Sequence, residues 1–394
     1  MSSLSHPPES REGGSDTAPE AIVIGGGAAG LATAAELGRR GITAVVLERA
    51  DEIGNSWHRR YEGLRLNTAR RFSAPRHSRI PRSAGRWPTR EAFAAHLRGY
   101  AVREGIAIER GIEALRIERG DDGYTVETSH GPRSAHLVVV ATGYDHTPIL
   151  PAWHGREDFA GDLIHAADYC SASDFRNKDV LVVGAGNTGT EIAVQLHRAG
   201  AARVRIAVRT PPNIMPLELF GIPITLFALL GEGQSAGADL FGRIVQRLVW
   251  GDLSEHGLLP SPYGIGTELR LKGLGPVVDR GFVGTLKAGQ VEIVPAVQGF
   301  DGADVCLASG GRIQPQAVIA ATGYRMGLEP LVGHLGLLTP AGRPTCVRGE
   351  ENPAAPGLYF NGFWLPASGQ LPAMRRTTKR IGQEIARQGR KDRT

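Results

Sequence analysis

The chain has few cysteines, and none of them is placed for a disulfide framework or a redox-active pair. Its 394 residues include three, Cys170, Cys306 and Cys346, and no two of them form a CxxC motif. A pyridine-nucleotide disulfide reductase needs that motif, so this class of enzyme is disfavoured. Isolated thiols without a framework are typical of a reducing compartment, and we therefore expect a cytoplasmic protein.

Long apolar runs are also missing. The most apolar segment, residues 217–230, is interrupted by Glu218, Gly221 and Pro223. It is too short and too polar to cross a bilayer, so we expect no membrane partner.

Residues 1–19 are polar and rich in Ser, Pro and Gly, without the apolar core of a signal peptide, and we expect a disordered tail there.

Charge is nearly balanced and aromatic residues are scarce. A formal net charge of +5 and an aromatic content of 6% do not favour nucleic-acid binding, and no nucleic-acid partner is expected. The exception is residues 59–90, which contain ten arginines and a single acid, Glu62. A positive wall for cofactor phosphates or an acidic substrate is one interpretation, and a solvated basic loop is the other.

Glycine, by contrast, is abundant, and one glycine cluster lies in a strand–turn–helix–strand frame. Residues 179–209, DVLVVGAGNTGTEIAVQLHRAGAARVRIAVR, contain a GxGxxG motif after an apolar strand. Such a turn places a diphosphate on a helix N-terminus. Arg209 ends the second strand, where an arginine can pair with a 2′-phosphate, which favours NADPH. The expected cofactor contacts are Gly184, Gly186, Asn187, Thr188, Gly189 and Arg209.

An upstream copy of this frame ends in an acid instead of an arginine. The strand at 21–24 precedes GGGAAG, and a second strand at 42–47 ends in Glu48. The spacing is typical of a carboxylate that accepts hydrogen bonds from ribose hydroxyls, as in FAD or NAD. The pair of turns predicts two nucleotides, FAD first and NADPH second. The expected FAD contacts here are Gly25, Gly27, Ala29, Gly30 and Glu48.

The tetrapeptide ATGY occurs twice, each time after an apolar strand, at 141–144 and at 321–324. We expect its small residues to lie close to a cofactor at crossings between domains. These residues are Thr142, Gly143, Thr322 and Gly323. No histidine and cysteine cluster has metal-ligand spacing, so no metal site is expected.

The predicted fold class is α/β, with two Rossmann-like dinucleotide-binding domains, the second inserted in the first. Residues 20–160 and 310–394 form the predicted FAD-binding domain. Residues 161–309 form the predicted NADPH-binding domain, which carries a helical insertion at about 211–270.

The segment ahead of the second glycine turn resembles a family signature. Phe159, Gly161, His165 and Tyr169 match the pattern FxGxxxHxxx(Y/F) of class B flavoprotein monooxygenases, in the flavin-containing monooxygenase and YUCCA-like branch. A tryptophan in place of Tyr169 would favour the Baeyer–Villiger branch instead. VLVVGAGNTGTEIA and residues 275–294 also resemble YUCCA segments, whereas Cys170 stands where the family often has a basic residue.

The resemblance implies an enzyme that uses FAD, NADPH and O2. In such enzymes NADPH reduces FAD, O2 adds to give a C4a-(hydro)peroxyflavin, and one oxygen atom passes to a small organic substrate. Trp57 resembles the family's flavin-side tryptophan. Asn67 and Thr68 resemble the Asn-Thr pair over the flavin, which makes Asn67 the candidate catalytic residue and a cofactor contact.

Several alternatives stay open at this point. The reaction can be N- or S-oxygenation, or oxidative decarboxylation of a 2-oxo acid. Baeyer–Villiger oxygenation of a ketone and a non-catalytic, redox-sensing flavoprotein are the competing functions. The arginine-rich segment favours an acidic substrate, and a homo-oligomer is one of the open assembly states.

Overall fold

The computed structural model describes residues 19–230, 235–273 and 275–391. Apart from residue 19, the expected disordered tail lies outside these ranges. No helix in the described ranges combines the length and the apolar character needed to cross a membrane.

The first sheet has five parallel strands. In spatial order they are Leu358–Phe360, Leu137–Val140, Ala21–Ile24, Ala44–Glu48 and Ala107–Arg110. One face packs on the helices Ala28–Gly38 and Gln370–Lys391, and the other on an antiparallel sheet. The strands of that small sheet are Ala114–Gly120, Gly123–Thr128 and Arg133–Ala135. Because both faces are covered, the parallel strands are continuous apolar runs.

The second sheet repeats this plan. Its parallel strands, in spatial order, are Glu292–Pro295, Arg203–Val208, Asp179–Val183, Ala317–Ala320 and Asp162–His165. The helices Asn187–Arg198 and Phe282–Lys287 cover one face. The antiparallel strands Val297–Asp301, Asp304–Leu307 and Arg312–Ile313 cover the other. Two Rossmann-like units are therefore present, each with its glycine turn after the central strand.

The predicted boundary at residue 310 is too early. Ala317–Ala320 pairs in parallel with Asp179–Val183 and so belongs to the second sheet. A short apolar strand carries no mark of which parallel neighbour it will pair with, which is why the pattern alone misplaced it. The two connections between the sheets meet where Thr147–Pro148 pairs with Tyr324–Arg325, and Tyr324 is itself the last residue of the second ATGY segment.

Between the strands Arg203–Val208 and Glu292–Pro295, the chain forms a layer of short elements. Its helices are Ile224–Leu230, Ser235–Trp250 and Ile265–Lys272. Ile214–Pro216 pairs with Val277–Asp279, and Glu218–Leu219 pairs with Ile222–Pro223. The remaining α-helices are Asn55–His58, Arg70–Ser73, Arg90–Arg103 and Glu329–Val332.

Candidate active site

The two glycine turns have the same backbone geometry. Gly25 and Gly184 have φ values of +110° and +111°, which other residues rarely adopt. A Cβ on Gly25 would lie 2.6 Å from the carbonyl oxygen of Ala141, and one on Gly184 would lie 2.5 Å from that of Ala321. The first glycine of each motif is therefore required because the turn packs tightly against the backbone of the first ATGY residue, Ala141 or Ala321.

The third glycine of each motif is required by packing. A Cβ on Gly30 would lie 1.8 Å from the carbonyl oxygen of Gly25, and one on Gly189 would lie 1.9 Å from that of Gly184. No side chain fits between helix and turn at these positions. The helix N-terminus is thereby held directly over the turn, where its exposed N–H groups can bind phosphate.

The middle glycines, Gly27 and Gly186, have a different role. Each is the N-cap of its helix, with extended backbone at φ −83° and −77°, and a Cβ there would meet no atom within 4 Å. Neither strain nor packing requires glycine, so each added side chain would enter open space above a helix N-terminus. A diphosphate fits this space, which agrees with a dinucleotide at each turn.

A cleft of about 620 Å³ extends from the first glycine turn. The Glu48 carboxylate lies in its wall and accepts hydrogen bonds from the N–H groups of Gly26 and Ala50, at 2.6 and 2.9 Å. Among the described residues, the buried Thr142 hydroxyl has no hydrogen-bond partner. The predicted contacts that line this cleft are Gly25, Gly27, Ala29, Glu48, Trp57, Thr142 and Gly143.

The N-terminus of the last helix closes the other end of this cleft, through Gln370 and Leu371. Its partial positive charge can stabilise negative charge on a bound ring system. With an acid at the ribose position, open space at the diphosphate position and a helix N-terminus at the far end, the cleft fits FAD.

A second cavity of about 600 Å³ lies between the two Rossmann-like units and the inserted helices. Trp57 lines both spaces, and its ring packs edge-on against Phe93, with centroids 4.8 Å apart. The predicted residues Asn67, Asn187 and Thr188 also line the second cavity. The cavity therefore joins the second glycine turn to the end of the FAD cleft.

Arg209 lies outside both cavities. It is exposed and directly follows the strand Arg203–Val208. Within the described part of the chain it makes no ion pair, so its guanidinium is available to a 2′-phosphate at the carboxyl edge of the sheet.

Thr322 and Gly323 line neither cavity. The Thr322 hydroxyl donates to the carbonyl oxygen of Ile149. The Gly323 carbonyl accepts from the Ile149 N–H at 3.0 Å and lies 3.2 Å from Nε2 of buried His165. His165 Nδ1 accepts from the Ala167 N–H at 3.0 Å, and burial lowers the pKa of His165. These contacts tie the connections between the two units together.

A buried polar network joins the two units behind Asn67. Its Nδ2 donates to Oδ1 of Asn187 at 3.3 Å and to Oε1 of Glu191 at 3.2 Å, and its Oδ1 accepts from Nε of Arg280 at 2.7 Å. Tyr61 donates its hydroxyl to the other oxygen of Glu191 at 2.8 Å. Both donors of the Asn67 amide are thus used within the protein, which fixes its orientation.

Glu191 is the buried centre of this network, with 8% of its surface exposed. Burial raises its pKa, although the Tyr61 hydrogen bond, the nearby Arg280 and the Asn67 amide oppose the shift. The folded protein therefore retains a proton that the unfolded chain releases near pH 4.5. It follows that the free energy of unfolding falls as the pH rises from that value through the folded pKa.

Replacing Glu191 by glutamine removes this titration. We expect the melting temperature of Glu191→Gln, relative to wild type, to increase as the pH rises, because only the wild type must ionise a buried carboxyl. Thermal unfolding across a pH series measures the difference. The exposed Glu255→Gln is the matched control. A difference for Glu191→Gln that does not change with pH would contradict this assignment.

Tyr61, Glu191 and Arg280 are not among the site residues that the sequence predicts. Glu191 lies four residues after Asn187, on the same face of the helix that follows the second turn. That spacing was visible in the sequence. The partners from the first unit and from residue 280 are distant in the chain, so no local pattern connects them.

Comparison with known proteins agrees with these features. The sequence model for flavin-binding monooxygenase-like proteins matches residues 126–332, and the one for pyridine nucleotide-disulphide oxidoreductases matches residues 22–214. The second match covers the first Rossmann-like turn, but the three cysteines of the chain are free and none forms a CxxC pair.

The chain is 32% identical over 357 residues to indole-3-pyruvate monooxygenase YUCCA1 of Oryza sativa subsp. japonica, covering 88% of this chain and 86% of the relative. Among solved structures, a mutant flavin monooxygenase from Stenotrophomonas maltophilia superposes with a TM-score of 0.73 at 23% identity, over 94% of this chain and 98% of the other. An oxidized steroid monooxygenase bound to NADP gives 0.72 at 20% identity, over 94% and 85%.

The two solved structures show that the fold is shared. The sequence of the relative from rice aligns over most of the chain, and the family model for flavin-binding monooxygenase-like proteins matches more than half of it. The chain therefore belongs to the flavin-binding monooxygenase-like family, in its YUCCA-like branch, and is an FAD-dependent NADPH monooxygenase.

Proposed function

We propose that the enzyme oxidatively decarboxylates an aromatic 2-oxo acid. The substrate, O2, NADPH and a proton would give the carboxylic acid one carbon shorter, CO2, water and NADP⁺. The observation that supports this most strongly is the second cavity, which has an apolar wall, arginines in its lining and a junction with the FAD cleft at Trp57.

The apolar wall comes from the inserted layer. Phe227 and Phe241 stack with their ring centroids 5.8 Å apart and an interplanar angle of 28°, and Met215, Ile224 and Ile265 lie around the same space. Aromatic and thioether side chains in this arrangement favour an aromatic group by burial and by stacking.

The lining of the same cavity also contains Arg60 and Arg65, together with the acids Asp145 and Glu191. Nη2 of Arg60 is paired with Asp145 at 2.7 Å, and its guanidinium lies over the ring of Tyr324. Arg65 has no ion pair among the residues described in the structure. Arg65, which is exposed, is therefore the arginine of the lining that is left to bind an anion. This supports an anionic substrate, as does the name of the relative from rice, which specifies indole-3-pyruvate, an aromatic 2-oxo acid.

FAD, when bound and reduced by NADPH, supplies the chemistry that activates O2. The residues of the chain bind, orient and exclude water. Asn67 is proposed to contact the cofactors beside Trp57 and Thr68. Because the N–H groups of its amide already donate to Asn187 and Glu191, a cofactor contact through them requires one of these two bonds to exchange.

The test compares substrate classes on the flavin-loaded enzyme. NADPH and O2 consumption, H2O2 release and product formation are measured with phenylpyruvate, an aryl ketone, an aryl amine and an aryl sulfide. We expect phenylpyruvate to give phenylacetate and CO2 in step with NADPH consumption, and equally so when catalase is present, because free H2O2 by itself decarboxylates 2-oxo acids. Oxygenation of the ketone, the amine or the sulfide, with only H2O2 formed from phenylpyruvate, would contradict the proposal and favour the corresponding alternative.

A further inference from the structure

Two arginines from different units reach the same residue, Trp87, and one of them lines the second cavity. Arg65 lies in the segment that follows the first glycine unit, and its side chain lines the cavity. Arg280 follows the strand Val277–Asp279, on the NADPH side. Both contact Trp87: Nη1 of Arg65 donates to its carbonyl oxygen at 3.1 Å, and the guanidinium of Arg280 lies 5.9 Å from its ring centroid.

The charge of this pair is incompletely balanced. The side chain of Arg280 is only 16% exposed, and the nearest carboxylate oxygen, Oε1 of Glu191, lies 3.9 Å from its Nε. That distance is too long for a hydrogen bond. Glu191 instead accepts from Tyr61 and Asn67.

Burial is the main reason that the pKa of Arg280 is lowered, and the positive charge of Arg65 lowers it further, against the opposing effect of Glu191. The largely buried guanidinium of Arg280 is therefore repelled by that of Arg65, which is exposed and lines the cavity. An anion bound by Arg65 would relieve that repulsion and gain charge-assisted hydrogen bonds.

Arg280 is also held in place for this role. Its Nε donates to Oδ1 of Asn67, and its Nη2 donates to the carbonyl oxygen of Leu66. Leu66 and Asn67 follow Arg65 directly and line the same cavity. An anion bound here would therefore lie beside the Asn67 amide, which is proposed to contact the cofactors. The apolar wall at Phe227 and Phe241 would then contact the apolar part of the same substrate.

We propose that Arg65 binds the substrate's carboxylate, and that the largely buried Arg280 adds positive charge to this site from outside the cavity lining. This assignment rests on the proposed function, because it identifies which groups of the same cavity recognise the acid.

Binding of inert probes tests the site without any turnover. Phenylacetate and its neutral analogue phenylacetamide are titrated by calorimetry into the flavin-loaded enzyme containing NADP⁺. We expect Arg65→Gln to weaken phenylacetate about 10- to 100-fold, since a hydrogen bond to a charged group contributes about 1.5–3 kcal/mol. Phenylacetamide should bind unchanged, and Arg65→Lys should recover part of the loss.

Arg79→Gln is the matched control, because Arg79 is an exposed arginine of the same basic segment and lies outside the cavity lining. It should leave both probes unaffected. Three results for Arg65→Gln would each overturn the assignment. These are an unchanged affinity for phenylacetate, an equal loss of affinity for phenylacetate and phenylacetamide, and a loss of affinity for NADP⁺ alone.

The outcomes separate the site from the reaction. If phenylpyruvate is not decarboxylated but phenylacetate binding still depends on Arg65, the proposed reaction is wrong and the carboxylate site stands. If phenylpyruvate is decarboxylated and Arg65→Gln binds phenylacetate normally, the site is wrong and the reaction stands.

Discussion

Gly27→Val is expected to give a folded but colourless protein. The residue has extended backbone, which valine adopts without strain, and its Cβ would project into open space at the helix N-terminus. The branched side chain would occupy the diphosphate position of FAD and remove several charge-assisted hydrogen bonds. We expect the Kd for FAD to rise by about 100-fold or more, measured by fluorescence titration of the apoprotein with FAD.

The second turn provides the matched control. Gly186 has the same extended backbone and the same open space at its Cβ, so Gly186→Val should be equally compatible with folding. This variant should retain FAD and lose reduction by NADPH. A yellow Gly27→Val protein with normal flavin content would show that the first turn does not hold the diphosphate of FAD.

Arg209→Ala is expected to reduce the preference for NADPH over NADH. The exposed arginine at the edge of the second sheet is placed for the 2′-phosphate, which only NADPH carries. Loss of one or two charge-assisted hydrogen bonds should raise the KM for NADPH about 10- to 100-fold and change the KM for NADH little.

Initial-rate kinetics with both nucleotides measures this effect. The exposed Arg176 provides a control substitution, Arg176→Ala, which should leave both KM values near wild type. If Arg209→Ala increased the KM for NADPH and the KM for NADH equally, Arg209 could not be assigned as a contact of the 2′-phosphate.

The glycine turns were predictable because their requirements are local. The φ value at Gly25 and the close packing at Gly30 both arise within a stretch of a few residues, and the second turn repeats them. Motif spacing, an acid at the end of one strand and an arginine at the end of the other were therefore enough to predict two Rossmann-like units with different nucleotides.

The pairing of strands was not predictable in the same way. Ala317–Ala320 is a buried apolar run that could join either parallel sheet, and its place in the second one depends on the path of the whole chain. The boundary at residue 310 was wrong for this reason. The periodicity of apolar residues in a sequence indicates which strands are buried, but it does not indicate which strand each of them pairs with.

The active-site network shows the same limit. Asn67 was found through a family resemblance, whereas Tyr61, Glu191 and Arg280, which bond to it or to each other, left no combined signal in the sequence. Their contacts cross the boundary between the two units. An isolated glutamate on a helix or an isolated arginine after a strand is usually a surface residue, and only the fold shows that these are buried together.

The central claim is that one chain holds FAD at the first turn and NADPH at the second, in contact through the cavity at Trp57. Anaerobic stopped-flow mixing of the flavin-loaded enzyme with each nucleotide tests it most directly. We expect NADPH to bleach the flavin absorbance rapidly, and an equal concentration of NADH to bleach it much more slowly. Flavin absorbance that stays unchanged after addition of NADPH would contradict it.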